Sequence, residues 1–97
     1  MGETGINHAL MECSITGADQ QSAWVPIRGK FNLSISGTWT ATIYIQRSFD
    51  GGSTALDVES FTSNVEKIGE EPETVLYRAN CKAGDYTSGT AIVRISQ

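Results

Sequence analysis

The residues best able to form a specific polar arrangement lie between positions 48 and 54. Ser48, Asp50 and Thr54 carry short side chains with hydroxyl or carboxylate oxygens, and Gly52 stands between them. Short polar side chains of this kind hydrogen-bond the backbone of their own turn, and glycine accepts dihedral angles that other residues avoid. The spacing therefore predicts a structural turn in preference to a binding or catalytic site.

The same segment resembles the Asp box, the S-x-D-x-G-x-T-W hairpin motif of sialidase-like propellers and many other β-proteins. Ser48, Asp50, Gly52 and Thr54 match the motif, whereas Ala55 stands where the motif has an aromatic residue. In families that carry it, the motif usually lies away from the catalytic site. A propeller needs several four-stranded blades, and a chain of 97 residues is too short to form a propeller.

Other residues that could carry chemistry lack the partners that chemistry needs. His8 is the only histidine, and no serine has the sequence context of an activated nucleophile. Glu66, Glu70, Glu71 and Glu73 form an acidic group, but their spacing is not that of a calcium loop, so a solvated loop is expected. The sequence predicts a protein that is not an enzyme and that has no catalytic residues, metal or cofactor.

Apolar residues alternate with polar ones along most of the chain, which is typical of half-buried strands. The alternation predicts an all-β fold, an antiparallel sandwich or small barrel of about seven or eight strands spanning residues 10–97. Residues 1–9 are polar and glycine-rich and are expected to form a flexible arm. The residues predicted to point inward include Met11, Cys13, Ile15, Phe31, Leu33, Ile35, Trp39, Ala41, Ile43, Ile45, Val75, Tyr77, Ala79, Cys81, Ala91, Val93 and Ile95.

Glycines and prolines suggest where these strands end. Gly37 is expected to separate two strands within residues 30–47, and residues 50–52 are expected to form a tight turn. The next strand, residues 54–61, should bury Leu56 and Val58. Residues 69–72 are expected to form an acidic loop.

The composition limits which kinds of partner and which cellular compartment are expected for this chain. Eleven acidic and seven basic residues give a net charge of −4, and the basic residues are scattered, so direct nucleic-acid binding is not expected. No apolar run approaches the roughly 20 residues that a membrane span needs, and the N-terminus does not resemble a secretory signal. Cys13 and Cys81 are expected to be buried thiols, with a disulfide as the alternative.

Three aromatic residues are candidates for an interface. Trp24 lies outside the inward register near Pro26, Tyr44 points outward by the alternation, and Tyr86 falls in a predicted turn. Exposed aromatic side chains often anchor protein interfaces, and they can also stack on sugars. Trp39, by contrast, is expected in the core.

Two longer stretches are similar to small tailed-bacteriophage proteins, in which a strand, Ser-Gly-Thr, a second strand and Gln-Arg-Ser-x-Asp-Gly-Gly follow one another. Residues 31–39 and 43–52 carry that pattern, and residues 86–94 are similar more loosely. The resemblance implies a virion component made in the host cytoplasm, above all a capsid decoration protein that docks on the major capsid protein or other virion proteins. It also implies a possible homo-oligomer.

Two alternatives stay open at this point. One is a tail or neck component of the virion. The other is a carbohydrate-binding β-sandwich module, suggested by the candidate surface aromatics. The sequence does not separate head from tail, and the resemblance assigns no contact residues.

Overall fold

The computed structural model describes residues 10–97, and all of the regular structure in this range is β-strand. The strands are joined in one antiparallel sheet of order β1-β7-β3-β6-β4-β5, with β2 added beside β6. Their bounds are β1 Leu10–Ile15, β2 Gln20–Gln21, β3 Val25–Ala41, β4 Ile43–Ser48, β5 Leu56–Phe61, β6 Val65–Cys81 and β7 Tyr86–Ser96. The predicted all-β class and strand number are confirmed, whereas the arm predicted for residues 1–9 lies outside the described residues.

The two longest strands, β3 and β6, have 17 residues each and lie beside each other at the centre of the sheet. They pair from Val25 opposite Tyr77 to Ile35 opposite Val65, with a register shift between Ile27 and Gly29. Because an irregularity of this kind bends and twists the strands, it divides the sheet into two parts. The first half-sheet holds β1, β7, most of β3 and residues 65–71 of β6, and the second holds β4, β5, β2 and residues 75–81 of β6.

One hydrophobic cluster collects side chains from both half-sheets. Ile35, Ile43 and Val93 are at most 1% exposed, and the cluster follows the predicted alternation along β3, β4, β6 and β7. Burying one side of each pleated strand against the other half-sheet is what the alternating pattern requires. Cys81 is buried and Cys13 half-buried, both are free thiols, and burial raises the pKa of each.

Two predicted interruptions are wrong. Strand β3 continues through Gly37, which adopts a φ of 99° and lies so close to β7 that a Cβ there would be 2.5 Å from the carbonyl oxygen of Thr90. Residues 69–72 are not a loop but part of β6, because residues 69–71 pair in regular register with residues 29–31 of β3. Here Phe31 covers Gly69, where a Cβ would lie 2.5 Å from the ring.

The predicted burial of Leu56 and Val58 is also wrong. They are 44% and 43% exposed. Strand β5 pairs only with β4 within the described residues, and the pairing shifts between Ile45 and Gln46, which leaves Val58 without an opposite residue. An edge strand with a bulge cannot bury both residues as an inner strand would.

Candidate functional site

A cleft opens where the two half-sheets meet along β5 and the first part of β6. We call it the β5–β6 cleft; its volume is about 240 Å³. Its buried base consists of apolar and aromatic core residues, and its sides are polar and charged. The lining residues are Phe31, Leu33, Ile45, Arg47, Val58, Glu59, Lys67, Ile68, Gly69, Glu70, Glu71 and Tyr77.

Two ion pairs join the half-sheets across this cleft. Glu59 on β5 lies 2.5 Å from the Nζ of Lys67 on β6, and Glu71 on β6 lies 2.9 Å from Nη1 of Arg47 on β4. The pair between Glu59 and Lys67 is solvent-exposed, and such pairs contribute at most about 1 kcal/mol. The pair formed by Glu71 differs because the side chain of Glu71 is only 7% exposed.

Glu71 accepts hydrogen bonds from two groups at the same carboxylate oxygen. The guanidinium of Arg47 donates one, and the hydroxyl of Tyr77 donates the other. Burial and the hydrogen bond to Glu71 together raise the pKa of Tyr77 to about 12, and the hydrogen bond to Glu71 raises the pKa of Arg47. The phenol therefore stays protonated and the guanidinium charged, so the three groups form a fixed clamp between the half-sheets.

Sequence reasoning missed this clamp because it placed Glu71 in a loop. A signal was present. Arg47 continues the inward register of Ile43 and Ile45, and Tyr77 is inward on its own strand. A charged residue that continues an inward register favours a partner of opposite charge on the same face of another strand, although the sequence does not say which residue it is.

Large exposed apolar side chains gather around the β5–β6 cleft. Val58 and Ile68 line it, with exposed fractions of 43% and 71%. Leu56 lies opposite Arg47 on β5, and the ring of Phe49 lies 5.0 Å from the Arg47 guanidinium. Of the large apolar side chains exposed in residues 11–97, Ile92 on β7 alone lies away from this group. Apolar surface concentrated in one place is typical of an interaction site.

The structure brings Ser48, Asp50, Gly52 and Thr54 together in one turn between β4 and β5. Ser48 Oγ accepts from the Gly52 amide at 2.9 Å and donates to Asp50 Oδ1 at 2.7 Å, and that oxygen accepts from the Thr54 amide at 2.8 Å. Hydrogen bonds from the side chains of Thr54 and Ser48 and from the Thr54 backbone lower the pKa of Asp50 to about 2. These contacts are internal to the turn, so the geometry is that of a local brace.

An aromatic residue does cover this turn, although Ala55 does not supply it. A Cβ on Gly52 would lie 2.9 Å from the indole Nε1 of Trp24. Trp24 precedes β3, far from the turn in sequence, so the contact exists only in the folded chain. The turn is therefore covered by an aromatic side chain from a different part of the chain.

Two of the three candidate interface residues, Trp24 and Tyr44, share the outer face of the second half-sheet. Cations cover both rings: the guanidinium of Arg78 lies 4.4 Å from the Trp24 ring, and Lys82 Nζ lies 4.0 Å from the Tyr44 ring. The third candidate, Tyr86, packs against the core instead, and its hydroxyl donates to the Gly89 carbonyl.

A polar chain connects the two covered rings. Arg78 Nε donates to Gln46, and the amide of Gln46 donates to Asp57, which also pairs with Lys82 at 2.7 Å. Lys82 is the largest cause of the lowered pKa of Asp57. Gln46 is only 5% exposed beneath these side chains. This face is therefore closed by its own side chains and leaves little free aromatic surface.

Comparison with known proteins adds no relative. We find no match to this chain among protein-family models, curated proteins or solved structures. Within residues 10–97, no cluster of three or more His, Cys, Asp or Glu side chains is arranged to hold a metal ion. The same range contains no helix of the length and hydropathy required to cross a membrane.

Proposed function

We propose that this chain is a non-enzymatic structural protein of a tailed bacteriophage, a capsid decoration protein that docks on the major capsid protein or another virion protein. The observation that carries the proposal is the exposed apolar surface at one cleft: Val58 and Ile68 line it, and Phe49 and Leu56 lie beside its lining residue Arg47. The similarity of residues 31–39 and 43–52 to small phage proteins supplies the viral context.

The cleft is suited to docking because its shape is fixed from both sides. The Arg47–Glu71 and Glu59–Lys67 pairs join the two half-sheets beside the apolar patch. A surface that is already ordered loses little conformational entropy when a partner binds. Apolar surface that the partner removes from water favours binding.

The polar side chains of the cleft favour a binding role over a catalytic one. Glu71 already accepts from Arg47 and Tyr77, and the Tyr77 hydroxyl, with a pKa raised to about 12, is a weak acid near neutral pH. Catalysis requires groups that exchange protons or bond to a reacting atom. In this cleft the polar side chains instead hydrogen-bond to one another and stabilise the fold.

A carbohydrate-binding role for Trp24 and Tyr44 is less well supported. Sugars bind aromatic rings through an open ring face, whereas Arg78 and Lys82 already lie over these two rings. A glycan array would test the alternative directly. Binding that is lost in both Trp24→Ala and Tyr44→Ala variants would favour it over the proposal made here.

The direct test is co-sedimentation with shells assembled from the major capsid protein of the same virus. We expect the protein to pellet with shells at a saturating, symmetric ratio. A Val58→Lys variant should stay in the supernatant, whereas Ile92→Lys, which changes an exposed isoleucine away from the cleft, should pellet normally. Failure of the unmodified protein to pellet would contradict decoration, and rings seen by electron microscopy would favour a tail or neck component.

A further inference from the structure

Two strand edges line the β5–β6 cleft. Strand β5 pairs only with β4, and residues 65–71 of β6 pair only with β3, as far as residues 10–97 are concerned. Each strand therefore has one side whose backbone N–H and C=O groups find no strand partner in the described part of the chain. Exposed edges of this kind accept an additional strand through main-chain hydrogen bonds.

The two edges are not equally suited to that role. Residues 65–71 of β6 keep an uninterrupted register with residues 29–35 of β3. The pairing of β5 is interrupted at Val58, and a bulge twists an edge away from further pairing. The regular edge is therefore that of β6, next to the highly exposed Ile68.

The charges along the cleft indicate the chemistry of an occupant. Both lining cations are neutralised internally, Arg47 by Glu71 and Lys67 by Glu59. Lys30 lies opposite the lining carboxylate of Glu70 on β3, but the two form no ion pair, and Glu70 has none with any other residue between 10 and 97. The whole chain is also acidic, with a net charge of −4. A bound segment with basic side chains would complement this edge.

We propose that the edge of β6 between Val65 and Glu71 receives an extended segment of a partner protein in which apolar and basic residues alternate. Its apolar side chains point toward the cleft, whose base includes Phe31 and Leu33, and its basic side chains lie beside Glu70. This inference rests on the proposed docking function and specifies the part of the partner that is recognised.

The experiment uses two synthetic heptapeptides and the full chain. One peptide alternates valine with lysine, and its control alternates valine with glutamate. We expect the lysine peptide to bind saturably, with amide chemical-shift changes centred on residues 65–71 and slower hydrogen exchange at that edge. Equal binding of the glutamate peptide, or shift changes centred elsewhere, would overturn the inference.

Matched variants locate the contact. Glu70→Lys should weaken binding of the lysine peptide about tenfold, because it replaces an attraction with a repulsion. Ile68 lies on the same face of β6 as Glu70, so it should contact the aliphatic stems of the bound lysines, and Ile68→Ser should weaken binding as well. Ile92→Ser should leave it unchanged. If the chain instead forms dimers in sedimentation velocity that protect the same amides, the edge binds a second copy and the inference is wrong.

Shell co-sedimentation separates this inference from the function on which it rests. If the protein pellets with shells while Glu70→Lys and Ile68→Ser pellet equally well, docking occurs elsewhere and only the strand-edge inference fails. If the lysine peptide binds as expected but the protein does not pellet, the edge recognises extended segments and the decoration function fails.

Discussion

The indole of Trp24 lies directly against Gly52 in the turn between β4 and β5, with Nε1 2.9 Å from where a Cβ would be. Gly52 also adopts a φ of 100°, which disfavours any side chain. Gly52→Ala should therefore lower the free energy of unfolding by about 1–3 kcal/mol, through backbone strain and displacement of the indole. Denaturant unfolding measures the loss.

Gly51 supplies the matched control for this prediction. It has a similar positive φ of 74°, but a Cβ there would meet no atom within 4 Å. Gly51→Ala should report backbone strain alone and cost less than Gly52→Ala. In a Trp24→Ala background the difference between the two substitutions should shrink. A difference that is undiminished without the indole would show that the contact with Trp24 is not its cause.

The carboxylate of Asp50 should make the stability of the turn depend on pH. Its pKa falls from an ordinary 3.8 to about 2 in the folded chain. A pKa lowered by folding stabilises the protein above the unfolded value, and the contribution disappears as pH falls through the folded value. Asp50→Asn should therefore melt below the unmodified protein at pH 6, with most of the difference lost by pH 2. An equal difference at both pH values would refute the role of the charge.

The alternation of apolar residues predicted the fold class and most of the core. Ile43, Ile45, Val75 and Val93 are buried as their register requires, because a pleated strand places every second side chain on one face. The same rule placed Tyr44 on the opposite face. Local periodicity is enough for these residues, since the direction of a side chain follows from its own strand.

The candidate site depended on information that local sequence lacks. Strand β6 is continuous through Glu71 only because β3 supplies a ladder beside it, and the contact between Trp24 and Gly52 joins residues far apart in the chain. The exposure of Val58 follows from the position of β5 at an edge. Each of these facts is set by strand order and register, which no single segment encodes.

Glu71 and Arg47 should respond unequally to loss of their ion pair. The Glu71 side chain is 7% exposed and that of Arg47 is 36% exposed, so water can solvate the arginine if it loses its partner but can hardly reach the glutamate. Arg47→Leu, which leaves a buried charge, should cost about 2–4 kcal/mol, whereas Glu71→Gln should cost about 1 kcal/mol.

The double variant checks this interpretation of the ion pair. Combining Arg47→Leu with Glu71→Gln removes the buried charge, so the pair of substitutions should cost less than the sum of the two single ones in equilibrium unfolding. Strict additivity, or a larger loss for Glu71→Gln than for Arg47→Leu, would mean that desolvation of Glu71 does not govern the clamp.

Two neighbouring residues on β4 test the assigned register of the sheet. Ile43 is fully buried, whereas Tyr44 is only half-buried on the outer face beneath Lys82. Ile43→Asp places an unpaired charge in the core and should abolish the cooperative thermal transition. Tyr44→Asp exchanges a cation–ring contact for an opposite charge near Lys82, so the domain should stay folded with a modestly lower Tm. If Tyr44→Asp unfolds the protein while Ile43→Asp does not, the two faces of the strand have been assigned the wrong way round.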